Sequence, residues 1–103
     1  MMSITQGDQY SIPIIIKQGD TVITNENVQG VRIAIENAVF TYPGGHLEYS
    51  DGVWYFPLTQ ELSYLLEEGK AKGQVQIRIG RNIIGSKTKE IDINECIIKE
   101  GWD

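Results

Sequence analysis

The chain has 103 residues, 41% of them apolar and 22% charged; that suits one hydrophobic core and is too apolar for a disordered segment. Nine basic against fourteen acidic side chains give a formal net charge of −5. With no lysine or arginine cluster, that balance lacks the footprint a phosphate backbone requires, and no apolar run reaches membrane-spanning length.

Nucleic acid and membrane are therefore excluded as expected partners. The opening MMSITQGDQYSIP has neither a basic head nor an apolar core of signal-peptide length. Cys96 is the single cysteine, which leaves no intrachain disulfide and no multi-thiolate zinc site. Synthesis and residence in a reducing cytoplasm are expected.

Tyr10 to Lys17 (YSIPIIIK) reads as a strand, and Pro13, lacking an N–H, places it at a sheet edge or a bend. Side chains alternate across a strand, so Ile14, Ile15 and Ile16 cannot all point inward. At least one must face outward and find cover elsewhere. Gln18-Gly19-Asp20 is a turn, and Thr24 to Gln29 is a polar loop. Gly30 to Glu36 alternates, with Val31, Ile33 and Ile35 inward. Asn37 punctuates the chain before Val39 to Tyr42, and Pro43-Gly44-Gly45 is a loop.

The stretch HLEYSDGVWYFPLTQE, from His46 to Glu61, holds four of the nine aromatics around one Asp-Gly pair. Asp-Gly between β-formers signals a two-residue type I′ hairpin. That register sets Ser50 opposite Val53, Tyr49 opposite Trp54 and Glu48 opposite Tyr55. Leu47, Tyr49, Trp54, Phe56 and Leu58 then share one apolar face, and a one-residue slip would scramble it. Most of these aromatics are core.

Leu58, Leu62, Leu65 and Leu66 fall at helical spacing, with Thr59 as N-cap and Gly69 as the stop. About two turns of helix near 59–68 should cross from one sheet to another. Gln74 to Ile79 alternates with Val75, Ile77 and Ile79 inward. Gly80-Arg81-Asn82 turns the chain, Ile83-Ile84 starts a return, and Glu90 to Ile93 buries Ile91 and Ile93. Inward parity lapses through Gly85-Ser86, the mark of a bulge or sheet switch. About seven short strands separated by turn signals predict one all-β sandwich domain over 1–103.

No catalytic, cofactor or metal site is expected. A nucleophile–base–orienter arrangement built on histidine would have to use His46, the only one, which reads as a solvated loop residue. Cys96 before Ile97-Ile98 reads as a buried, inert thiol. Glu67-Glu68 and Glu90 with Asp92 read as surface acids rather than a facing pair. Asn25-Glu26-Asn27 lacks the order of a calcium loop, and Gly7, Gly19 and Gly30 form no phosphate-binding fingerprint. Tyr10, Tyr42, Tyr55, Tyr64 and Trp102 are not needed for the hairpin core, so a carbohydrate- or cell-surface-binding module is the alternative function. The simpler reading has Tyr42 and Tyr64 completing the core.

Two stretches carry a family resemblance. Ile16-Lys17-Gln18-Gly19-Asp20-Thr21 resembles the "GDT" opening of small phage-encoded modules. Trp54 to Gly69 resembles a strand ending in "LT-x-E" with a leucine-bearing turn; Gln74-Val-Gln-Ile-Arg-Ile79 and Gly85-Ser86-Lys87 follow it. The succession resembles immunoglobulin-like domains of upper baseplate and tail proteins from phages and prophages of low-GC Gram-positive bacteria.

The resemblance implies an immunoglobulin-like antiparallel β-sandwich and a non-enzymatic virion structural protein. It would be made in the host cytoplasm, without a signal peptide, and become virion-associated. Its partners would be other phage structural proteins or further copies of itself. In those baseplate proteins the sandwich opens a longer chain, whereas here it is the whole sequence. Association is therefore expected through the sandwich's own edges and faces, with Ile14, Ile15, Tyr55 and Trp102 as candidate contacts.

Overall fold

Asp51 and Gly52 both take positive φ, 47° and 84°, as a two-residue type I′ loop demands. They join β7 (Glu48–Ser50) to β8 (Val53–Leu58). Ser50 lies opposite Val53, Tyr49 opposite Trp54 and Glu48 opposite Tyr55. Leu47, Trp54, Phe56 and Leu58 are buried, and Tyr49 packs against them. The apolar face expected to point inward does so.

The computed structural model describes residues 3–98 and is an all-β sandwich with one short helix. β2 (Tyr10–Ile14) pairs with the far side of β8 and completes a three-stranded sheet, β2-β8-β7. Pro13 therefore sits on an edge strand. The opposing six-stranded sheet comprises β1 (Ser3–Thr5), β5 (Gly30–Ile35), β6 (Ala38–Tyr42), β9 (Gly69–Ile79), β10 (Asn82–Gly85) and β11 (Lys89–Asn94). Its order is β1-β11-β9-β5-β6, with β10 also paired to β9. The β1–β11 pairing is parallel and the other pairings are antiparallel. β3 (Lys17–Gln18) and β4 (Thr21–Val22) form a separate ribbon around the Gly19-Asp20 turn.

Period-two burial builds the large sheet's inner face. Val31, Ile33 and Ile35 of β5 are buried, as are Ala71 and Ile77 of β9 and Ile91 and Ile93 of β11. Two edge-to-face ring contacts join the sheets. Phe40 and Tyr42 of β6 meet Phe56 and Trp54 of β8 with centroids 4.9 and 5.1 Å apart. The Trp54 indole is fully buried, and its Nε1 donates to the Ile23 carbonyl at 3.1 Å. A buried indole needs such a partner.

The expected bulge is visible as a register step. Gly85 opposes Gln76, while Lys89 opposes Gly73. Three residues, 86–88, thus span the space that two residues, 74 and 75, span on β9. Ser86 fills the step: its N–H donates to the Val75 carbonyl, and its Oγ accepts the Val75 N–H at 3.0 Å.

The structure departs from expectation in three places. First, the predicted Tyr10–Lys17 strand ends at Ile14, because its partner β8 begins at Val53, one residue beyond Trp54, the partner of Ile14. Ile16 keeps the inward parity and is buried, while Ile15 stays 59% exposed. Such breaks give eleven short strands over the described residues, against about seven expected.

Second, α1 spans only the six residues Gln60–Leu65, about 1.7 turns. Thr59 caps it, its Oγ1 accepting the Leu62 N–H at 3.1 Å. Leu66 is already extended (φ −75°, ψ 133°), so the helical projection fails at the stripe's end. Leu66 is buried, whereas Leu65 is 78% exposed. Ser63 takes the inward position and is fully buried. Third, Gly69 begins β9 rather than stopping the helix.

Candidate functional site

Six strands cannot be covered by three. β8 lies over β6 through the aromatic contacts. α1 closes one end: Gly7 donates its N–H to Ser63 Oγ at 2.9 Å, and Ser63 Oγ donates to the Asp8 carbonyl at 2.8 Å. At the other end the sheets part. An open cleft of about 890 Å³ runs between residues 13–18 on one side and β5, β9, β10 and β11 on the other.

The walls of this cleft are apolar. Ile14, Ile15 and Ile16 line one side, and Ile35, Ile77 and Ile84 the other. Lys17, Lys87 and Lys89 stand at its rim with one carboxylate, Glu90. Glu90 also lies 3.9 Å from Lys70. The rim is therefore basic on a chain whose net charge is −5. Both flanking strands present bare edges among the described residues, since β2 pairs only with β8 and β10 only with β9. All four residues of β10 are exposed.

Ile14 and Ile15 both lie in this cleft. Tyr55 does not: it is half-buried on the outward face of β8, flanked by Pro13 and Glu48 across the ladder. Trp102 falls outside the described residues. Ile84, Lys87 and Lys89 were missed from the sequence, although a signal was present. Two adjacent isoleucines at 83 and 84, just before the parity lapse, cannot both be buried on one strand.

The other candidate groups are dispersed. His46 is exposed and meets the Phe40 ring edge-on at 6.0 Å. Cys96 is half-buried rather than buried, because the chain beyond β11 runs over the surface; its Sγ lies 3.3 Å from the Ile98 carbonyl. Asp92 pairs with Lys70 across the ladder. That contact raises the Lys70 pKa, by its hydrogen bond first and by its charge second. Among the described residues, no three His, Cys, Asp or Glu side chains gather as a metal site.

The tyrosines are divided between faces. Tyr42 packs on Trp54, and Tyr64 reaches the Ile98 carbonyl at 2.9 Å. Tyr10 is exposed at the start of β2; burial and the nearby Asp8 charge raise its pKa.

The fold and cleft define an all-β sandwich with an unfilled apolar seam and a basic rim. No helix among the described residues is long and apolar enough to cross a membrane. Comparison with known proteins finds no family model, no curated protein and no solved structure that matches this chain.

Proposed function

We propose that this chain is a phage or prophage structural protein, a tail, baseplate or head-associated assembly module of immunoglobulin-like type, acting through protein–protein contacts and not by catalysis. One observation carries the reading: an apolar cleft bordered by two bare strand edges, with Ile14 and Ile15 in its wall. Monomeric sandwiches normally blunt their edges with charge, proline or cover. Here Pro13 guards one edge, while β10, with Ile83 and Ile84 exposed, has no such guard. Unfilled apolar surface beside unpaired backbone suits a polypeptide partner better than a sugar, which needs coplanar exposed rings. The resemblance of Ile16 to Thr21, and of Trp54 to Gly69 followed by Gln74 to Ile79 and Gly85-Ser86-Lys87, to phage sandwich modules gives the direction.

The test is the set of genes flanking the coding sequence. Tail, baseplate or head genes on both sides are the expected result. Placement inside a metabolic or sugar-uptake operon would refute the reading.

A further inference from the structure

We infer that the cleft receives the segment Glu95–Ile98 of a second copy, so that the protein associates head to tail. This rests on the assembly reading above and names the partner. Four observations meet in it. First, the acceptor has a backbone edge to offer. β10 pairs only with β9 among the described residues, and its sequence contains no proline. An added strand would gain ladder hydrogen bonds there.

Second, the side chains match. Ile83 and Ile84, opposite Arg78 and Ile77 of β9, point to opposite faces of the sheet and are 64% and 39% exposed. Ile97 and Ile98 are likewise adjacent, and 87% and 64% exposed. An incoming strand places consecutive residues on alternate faces. It therefore sets one isoleucine beside Ile84, over the cleft, and the other beside Ile83.

Third, the charges are complementary. Lys17, Lys87 and Lys89 rim the cleft. From Glu95 onward the sequence carries three acids, Glu95, Glu100 and Asp103, against one base, Lys99.

Fourth, donor and acceptor lie at opposite ends of one strand. β11 begins at Lys89 on the cleft rim and ends at Asn94, one residue before the donor. Its six residues hold the two apart by roughly 17 Å. The donor is fastened to its own body at that far end. Gln6 Oε1 accepts the Cys96 N–H at 3.3 Å, and the Tyr64 hydroxyl donates to the Ile98 carbonyl at 2.9 Å. It thus offers its isoleucines outward rather than back to its own cleft. A contact between two different patches is heterologous and propagates, closing into a ring or extending as a filament.

Light scattering and sedimentation across a dilution series of the full chain test this. The wild type should form species larger than a monomer as concentration rises. Raising salt should weaken them, because the lysine rim contributes. Ile97→Ser with Ile98→Ser should weaken association about a hundredfold. Lys87→Glu with Lys89→Glu should also weaken it, by about tenfold. All four positions are exposed, and circular dichroism checks that each variant folds.

Mixing decides the geometry. The first variant keeps its cleft and the second keeps its donor, so together they should form one-to-one dimers bridged by a single donor–cleft contact. A wild type that stays monomeric at all concentrations overturns the inference. So does association that survives both pairs of substitutions. Either result leaves the phage reading to its own genetic test. Metabolic neighbours beside a chain that self-assembles as described would sink that reading instead.

Discussion

Ser63 is the one buried polar side chain among the described residues, and Ser63→Ala isolates what its hydroxyl does. Oγ accepts the Gly7 N–H at 2.9 Å and donates to the Asp8 carbonyl at 2.8 Å. The change removes one oxygen, too little to open a cavity that water could enter. It leaves a donor and an acceptor facing an apolar methyl. An unsatisfied buried backbone group costs about 1–3 kcal/mol. With two orphaned and some relaxation, about 2 kcal/mol is expected.

Urea unfolding followed by tryptophan fluorescence reads this directly. At a slope of about 1–3 kcal/mol per molar, the midpoint should fall by roughly 1 M with the slope unchanged. In a thermal scan the loss is roughly 10 °C. Thr59→Ala is the control: it removes the exposed cap of the same helix and should cost only about 1 kcal/mol. A Ser63→Ala loss below about 0.5 kcal/mol would refute the reasoning, since water would then be reaching Gly7 and Asp8.

Three further changes probe other parts of the sandwich. Gly52→Ala has open space for its methyl but holds φ at 84°; denaturant unfolding should show a loss of about 1–2 kcal/mol. Trp54→Phe orphans the Ile23 carbonyl and leaves a void beside Tyr42, so the same measurement should show a loss of about 2–4 kcal/mol. Stability should also fall as pH rises through the alkaline range. Tyr10 and Lys70 both have pKa values raised by folding, Tyr10 through burial and Lys70 through its bond to Asp92. Their contribution is complete below about pH 10 and is lost as pH climbs through the folded values. A pH series of unfolding curves checks this, with Tyr10→Phe and Lys70→Gln each flattening the decline.

The hairpin at Asp51-Gly52 was legible because turn chemistry and a two-residue period agree there; only one register buries Trp54, Phe56 and Leu58 together. β5 and the centre of β9 were legible for the same reason. The bulge at 86–88 was legible as a fault in that period. What the period cannot show is where a strand ends when its next residue is also apolar. Ile14, Ile15 and Ile16 looked like one strand, and inward parity does run on from Ile12 through Ile16, yet the ladder ends at Ile14 because its partner β8 runs out at the Asp51-Gly52 turn. The leucine stripe failed in a similar way. Its spacing assumed a helix through Leu66, while docking of Ser63 onto Gly7 and Asp8 fixes a shorter one. Ile23 drew no reading from the sequence at all, because it sits between a turn and a polar loop; it is buried, with its carbonyl bonded to Trp54, thirty-one residues away along the chain. As for the cleft, Ile14 and Ile15 could be suspected, and the adjacent Ile83 and Ile84 signalled one exposed apolar side chain, but the period alone does not say that Ile84 faces this cleft. Ile84, Lys87 and Lys89 join it only through the β9–β10 pairing and the register step beside it.

That step also bears on which edge of the cleft a strand would choose. At β2, Pro13 removes one N–H from the edge ladder, and Ile15 is already past the strand's end. An incoming chain would find few evenly spaced partners there. At β10 the edge runs unbroken for four residues and stops at Gly85. Ser86 and Lys87 then turn away, with Ser86 committed to Val75. The extra residue thus limits an added strand to about four positions, the length of Glu95–Ile98. It also brings Lys87 and Lys89 to the rim as the chain leaves and rejoins β9. One local irregularity accordingly sets both the length of the open edge and the charge beside it, which makes the bulge part of the proposed acceptor rather than a flaw in the sheet.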